Sequence, residues 1–209
     1  TAHVHDVSDY NRFALAFAWS CACDGVTDDS AALQAALDSM GAYTATHPDY
    51  RAVTLGGGKF RLPDAKKILI TTTIYYKSSI EIVGGGWSTQ ILFAPTTAKN
   101  AFEPSTSYAA LNGQHDVTFR NFAVYVQNAN AKRAFSITRT RHITLDSLKV
   151  TDFAEYGVYL GWVTGSYNFY NTIRNCFISN SPVNLYIDSV ANAVRTDGGS
   201  IASDSGYAL

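Results

Sequence analysis

The chain has 209 residues, 46% of them hydrophobic and 16% charged, with a net charge of −1 and a pI near 6.5. That size supports one substantial core, and the balanced charge gives no electrostatic reason to expect a nucleic acid or an anionic membrane as partner. Thirteen Tyr and eleven Phe against a single Met skew the composition toward β-forming side chains.

Cys21, Cys23 and Cys176 are too few for a framework of paired bridges. Cys21-x-Cys23 lacks the spacer and second ligand pair of a zinc site. The three therefore read as small buried residues, His3 and His5 as solvated ones, and neither metal nor other cofactor is expected. There is no apolar run long enough to span a bilayer and no signal peptide at the start. Thr1 and the strand-like Tyr207-Ala208-Leu209 suggest the edges of a piece cut from a longer protein.

Residues 1–23 form a first unit, an attachment or packing segment built around the apolar Phe13–Trp19 stretch. Residues 24–50 hold the one strong helix and a connection. Thr27 is a natural N-cap, Asp28 and Asp29 put negative charge at the positive end of the helix dipole, and Gly41 supplies the stop. Ala32, Leu33, Ala36, Leu37 and Met40 recur at three and four residues, which makes one apolar face. Such a helix must lie on something.

From residue 51 to 209 the pattern is short β runs with no crossover helix between them, as in Val53-Thr-Leu55, Phe60-Arg-Leu62, Ile68-Leu-Ile70, Ile80-Glu-Ile82 and Ile91-Leu-Phe93. An internal repeat chooses among the architectures. Thr118, Thr144 and Thr172 align, as do Phe119, Leu145 and Ile173, then Asn121, Ser147 and Asn175, then Val124, Val150 and Ile178, with offsets of 26 and 28 residues. A second series keeps the same period: Phe135-Ser-Ile137, Val158-Tyr-Leu160, Leu185-Tyr-Ile187 and Tyr207-Ala-Leu209. Each coil alone cannot bury its inner face, whereas stacked neighbours make a continuous core. The predicted fold is all-β, a right-handed parallel β-helix whose first coils follow a capping α-helix over residues 28–40. Asn121, Ser147 and Asn175 should form a column at a bend, their side chains bonded to one another above and below in a left-handed backbone.

Asp24-Gly-Val-Thr-Asp-Asp-Ser-Ala-Ala-Leu-Gln-Ala-Ala-Leu37 resembles the opening signature of the pectate-lyase-like superfamily. Two further elements occur in the order usual there. They are Val53-Thr-Leu-Gly-Gly-Gly-Lys-Phe-Arg-Leu62, with Gly56 where a Pro is usual, and Ile82-Val-Gly-Gly-Gly-Trp-Ser-Thr-Gln-Ile91. Cys23-Asp24-Gly25 replaces the common Gly-Asp-Gly. The resemblance covers residues 24–209. It implies a β-helix of the bacteriophage tailspike or polysaccharide depolymerase type, working as a homotrimer on host-surface polysaccharide.

The Gly-rich turns do not read as nucleotide sites. Gly56-Gly57-Gly58-Lys59 lacks the Ser or Thr and the spaced Gly of a P-loop, and Gly84-Gly85-Gly86 opens no helix. A polysaccharide site needs aromatic platforms and carboxylates. Tyr156, Tyr159, Trp162, Tyr167 and Tyr170 cluster in sequence with three glycines among them, and they are the candidate sugar-binding residues. Asp152, Glu155 and Asp188 are the candidate catalytic carboxylates, expected to approach one another because coils stack within the range of glycosidase pairs. Asp197 and Asp204 read as turn residues, and Arg139 and Arg141 lack the acidic cluster a calcium-dependent lyase needs.

Three functions fit. The first is a tailspike-like or tail-fibre-like virion protein that binds and depolymerises capsule or lipopolysaccharide. The others are a non-catalytic structural or adhesive module of a virion tail, contacting other tail proteins through its N-terminal side, and a secreted bacterial polysaccharide lyase or hydrolase.

Overall fold

The computed structural model describes residues 21–40, 43–46, 52–55, 58–105, 114–138, 140–161, 168–188, 191–192 and 194–201. The Phe13–Trp19 stretch, Gly41, Trp162, Tyr167 and the 207–209 run lie outside them. At Asp24 the carboxylate accepts from the backbone N–H groups of Val26 and Thr27 and from the Thr27 hydroxyl. This Asx turn holds the segment out of a helix. Strand β1 (Asp24–Asp28) forms instead, parallel to the strand Lys67–Ile70.

Helix α1 runs Ser30–Met40, so it starts two residues later than the sequence pattern suggests. Strand pairing is what competes. The Asp29 N–H donates to the Leu69 carbonyl, and the Thr27 hydroxyl is engaged by Asp24 rather than by the helix. Capping falls to Asp28, whose Oδ1 accepts from both the backbone N–H and the hydroxyl of Ser30. The helix buries Leu33, Ala36 and Leu37 in the core. Its polar side meets the open end of a sheet: the Gln34 amide donates to the Tyr75 carbonyl and accepts from the Tyr75 N–H. A side chain here completes backbone pairing that an edge strand would otherwise offer to another chain.

The chain then makes a ribbon that the periodicity does not announce. Strands β2 (Tyr43–Thr46) and β3 (Ala52–Leu55) pair antiparallel, so Val53-Thr-Leu55 is not part of a coil. Coiling begins at β4 (Gly58–Arg61), followed by β5 (Lys67–Ile70) and β6 (Ile74–Tyr76). The second coil is β7 (Ile80–Val83), β8 (Gln90–Phe93) and β9 (Lys99–Pro104). The third is β10 (Gln114–Arg120), β11 (Ala123–Val126) and β12 (Ala131–Ile137), and the fourth β13 (Thr140–Asp146), β14 (Lys149–Thr151) and β15 (Tyr156–Leu160). A fifth holds β16 (Asn168–Phe169), β17 (Thr172–Arg174), β18 (Phe177–Ser179) and β19 (Val183–Ile187). Strands β20 (Ala191–Asn192), β21 (Arg195–Asp197) and β22 (Ser200–Ile201) open a sixth.

Every coil gives one strand, or a broken one, to each of three parallel sheets. The first sheet stacks β4, β7, β10 and β13 and continues through β16 and β17 to β20 and β21. The second runs β1-β5-β8-β11-β14-β18-β22, and the third β6-β9-β12-β15-β19. The fold is the expected right-handed parallel β-helix with an N-terminal helix, its hand that of nearly all crossovers between parallel strands.

The expected register is observed: Thr118, Thr144 and Thr172 are successive partners, as are Val124, Val150 and Ile178. Residues 117–124 span two strands of different sheets, β10 and β11, joined by the expected bend. Asn121, Ser147 and Asn175 make that bend with φ of 57°, 55° and 53°. Their side chains, however, do not bond one another. The Ser147 hydroxyl and the Asn175 amide both donate to Oδ1 of Asp146, and Arg174 donates to Oδ2. A carboxylate accepts several bonds at once, and it draws both donors away from a direct ladder. Inside, Phe102 and Phe135 stack at 5.2 Å while Phe119 meets Phe135 edge-on at 5.0 Å, all three fully buried. Among the described residues no helix is long and apolar enough to cross a membrane.

Candidate functional site

Strand β15 alternates: Val158 and Leu160 point into the core, and Tyr159 points out. Parallel register carries that outward position to Ser136 on one side and Tyr186 on the other. The Tyr159 and Tyr186 rings stack with centroids 5.1 Å apart and planes 5° apart. Tyr156, at the start of the same strand, adds a third ring 5.2 Å from Tyr159 and 5.3 Å from Tyr186.

Arg133 is the register partner of Tyr156 on β12. Its guanidinium carbon lies 4.0 Å from the Tyr159 ring centre and 5.0 Å from that of Tyr156, both within cation–π range. Nη2 sits 3.4 Å from Glu155 Oε2, and Lys132 Nζ reaches the other carboxylate oxygen at 3.7 Å. Burial lifts the Tyr159 phenol above its ordinary range; the Arg133 charge works against that shift, while Asp188 and the neighbouring tyrosines reinforce it. The result is a two-ring stack with Tyr156 tilted against it by 49° and 54° and a guanidinium over Tyr159. Arrays of this kind offer sugar rings apolar faces with polar groups at the margin.

The three candidate carboxylates stand apart from one another in kind. Glu155 is ion-paired, as above. Asp152 occupies the bend after β14 with φ 71° and is exposed, its Oδ1 accepting from the Asn180 amide 3.2 Å away on the next coil. Asp188 follows β19, in the third sheet, and its N–H donates to the Leu160 carbonyl. Asp152 follows β14, whose partner one coil on is β18, so Asp188 does not stand at the position equivalent to Asp152. Val183 bonds to the Glu155 carbonyl and Asp188 to that of Leu160, so the five-residue length of β15 separates the two rungs. That is about 17 Å of extended strand, beyond the reach of a hydrolytic carboxylate pair.

Tyr156 and Tyr159 are brought together as the composition of 153–170 implies, whereas Phe153 is buried and stacks on Phe93 in the core. Tyr170 belongs to a different place, a bend within the first sheet that falls inside β10 and β13 and between β16 and β17. There Asp116, His142 and Tyr170 all have positive φ, at 56°, 55° and 56°. The His142 ring stacks on Tyr170 at 5.4 Å, and its Nδ1 lies 3.2 Å from Asp116 Oδ1. His115 Nδ1 approaches the other oxygen of Asp116 at 2.9 Å.

Sequence reading missed Arg133, Tyr186 and His142. Tyr186 was legible, since it is the middle residue of Leu185-Tyr-Ile187, in the same repeat position as Tyr159. Arg133 and His142 had no such signal. Each matters through neighbours on other coils, and spacing alone says nothing of which coil faces which.

No family model and no curated protein matches the sequence. Solved structures do match. ORF18 of Geobacillus virus E2 superposes with a TM-score of 0.64 at 20% identity, covering 88% of this chain and 40% of that one. The pre-mature gene product 12 of bacteriophage phi29 gives 0.58 at 14%, over 88% and 29%. The A-module of the Azotobacter vinelandii mannuronan C-5 epimerase AlgE4 gives 0.56 at 13%, over 88% and 49%. This chain therefore spans less than half the length of each, and at these identities the likeness is one of fold.

Proposed function

We propose that this chain is part of a virion-associated β-helix protein that binds host-surface polysaccharide and cleaves its glycosidic bonds, acting as a homotrimer attached to other tail proteins through its N-terminal side. The observation that carries the binding half is the Tyr156–Tyr159–Tyr186 array braced by Arg133. Tyr159 and Tyr186, half-buried and in register on adjacent coils about 4.8 Å apart, together with Tyr156 beside them give a polymer aromatic contacts along the solenoid axis. Trp162 and Tyr167, which lie outside the described residues, remain proposed sugar-binding residues from the sequence. The phage origin of two fold neighbours supports the virion setting, and the epimerase module supports a polysaccharide ligand. Asp152, Glu155 and Asp188 are the carboxylates proposed for cleavage, and because Glu155 and Asp188 lie too far apart to form one hydrolytic pair, each would act with a different partner group.

A second reading, a non-catalytic adhesive module, is favoured by one observation. Glu155 and Asp188 are set apart by the length of β15 and Glu155 is held by Lys132 and Arg133. Incubation of the full chain with capsular or lipopolysaccharide polymers, followed by size-exclusion analysis of the glycan, separates the two. Release of oligosaccharides that is lost in Glu155→Gln or Asp188→Asn supports cleavage; unaltered polymer retained on immobilised protein supports adhesion alone.

A further inference from the structure

The outer face of the second sheet carries an exposed indole that the tyrosine array does not use. Trp87 sits in the turn between β7 and β8, where three glycines precede it. The Gly84 and Gly86 N–H groups donate to the Arg120 and Asn121 carbonyls of the next coil, at 3.0 and 2.8 Å. A Cβ on Gly84 would stand 2.4 Å from the Asn121 carbonyl oxygen, and Gly86 has φ +115°. Glycine therefore lets this turn press against the third coil. Trp87 then reaches beyond it, with Nε1 donating to the Ser147 carbonyl of the fourth coil at 2.9 Å. Ala123, the outward residue of the coil between, is fully buried, as an indole crossing over it requires. Trp87 itself remains 45% exposed. Its polar edge is satisfied and its position fixed, so it presents a fixed plane to solvent.

Phe177 links the indole to a cation. Lys149 and Phe177 are register partners on β14 and β18. The Phe177 ring lies 6.3 Å from Trp87 at 48°. Lys149 Nζ is 5.5 Å from the Tyr125 ring centre and 5.8 Å from that of Phe177. Ring faces hold this ammonium, and among the described residues no carboxylate pairs with it, in contrast to Lys59, Lys77 and Lys132.

We propose that Trp87, Phe177, Lys149 and Tyr125 form a second glycan-binding site, selective for a sugar that bears a carboxylate, as in a uronate-containing polysaccharide. The indole plane takes the C–H face of the sugar ring, and Lys149 pairs with the carboxylate at the edge. The ligand class rests on the polysaccharide reading above, but the residues are independent of the tyrosine array. The competing occupant of this face is a second copy of the chain.

Affinity electrophoresis of the full chain through gels containing uronate-bearing capsular polysaccharides, or neutral dextran, tests the site. Retardation is expected in at least one acidic gel and not in dextran. Trp87→Ala and Lys149→Gln should each weaken it about tenfold, while Lys149→Arg retains it. Lys149→Gln removes no core atom and decides the matter if Trp87→Ala does not fold. Retardation that survives both changes overturns the site, and its loss in Tyr159→Ala alone would leave the tyrosine reading standing. The reverse pattern supports the site and overturns the tyrosine assignment. Equal retardation in dextran overturns the acidic selectivity, and retardation in no gel overturns both readings. A changed oligomeric state in Lys149→Gln by light scattering, with retardation intact, assigns the face to contact between copies and overturns the proposal.

Discussion

Tyr159 and Tyr186 are register partners on adjacent coils, and their rings stack nearly parallel, 5.1 Å apart. The stack follows from parallel in-register pairing, which places identical outward positions about 4.8 Å apart. Removing Tyr186 therefore bares a face of Tyr159, and removing Tyr159 bares both Tyr186 and Arg133.

Tyr186→Ala should therefore weaken retention on host polysaccharide about tenfold, with Tyr159→Ala costing at least as much and Tyr186→Phe little. The stability loss beyond buried area should be only about 0.5–1.5 kcal/mol, so binding and folding separate in one experiment. Glycan retention read beside a thermal melt checks it; loss of both in proportion would make the array structural.

The Gln34 amide pairs with both backbone groups of Tyr75 at the open end of the third sheet. Gln34→Ala leaves that edge to water and to other chains. We expect a cost of about 1 kcal/mol and, more visibly, faster aggregation on warming by light scattering. Gln34→Glu, which keeps an acceptor but loses the donor, should fall between.

Asn121 holds a left-handed backbone at φ 57°. Asn121→Ala should destabilise by about 1–2 kcal/mol because Cβ is disfavoured there without a local side-chain bond. Asn121→Gly should restore most of the loss, since glycine has no such penalty. Denaturant midpoints of the pair report backbone strain if they diverge, and a lost side-chain contact if they coincide.

Burial would raise the Asp146 carboxyl, but hydrogen bonds from Arg174 and Ser147 and the Arg174 charge outweigh it and hold the group below its usual 3.8. The unfolded chain thus takes up this proton first. The stability it confers is full above that ordinary value and disappears as pH falls through the lower folded one. Asp146→Asn should be less stable than the parent at neutral pH, and the two should converge on acidification. A parallel acid titration monitored by circular dichroism would refute this if the gap persisted at the lowest pH.

The three cysteines are free and buried. Burial first, then Cys21 and Asp29, push the Cys23 thiol up to about 12, and burial pushes Cys176 up to about 11. A thiolate-dependent reagent near neutral pH should leave them unlabelled in the folded protein and label them promptly in urea.

Much of the architecture was legible because a solenoid writes its three-dimensional register into one dimension. Residues that touch recur at a nearly constant offset, so Thr118, Thr144 and Thr172 announced their column, and Asn121, Ser147 and Asn175 announced a bend that the backbone adopts. Local competition was not legible: β1 forms where a helix start was expected because Leu69, some forty residues on, supplies a strand partner. The candidate site divides in the same way. Tyr156 and Tyr159 were found because aromatic residues crowd there in sequence. Separating Glu155 from Asp188, stacking Tyr170 on His142 and bringing Phe177 against both Trp87 and Lys149 required the tertiary structure. Those relationships depend on which sheet follows each bend and how far a side chain crosses between coils, and the offset between repeats carries neither quantity.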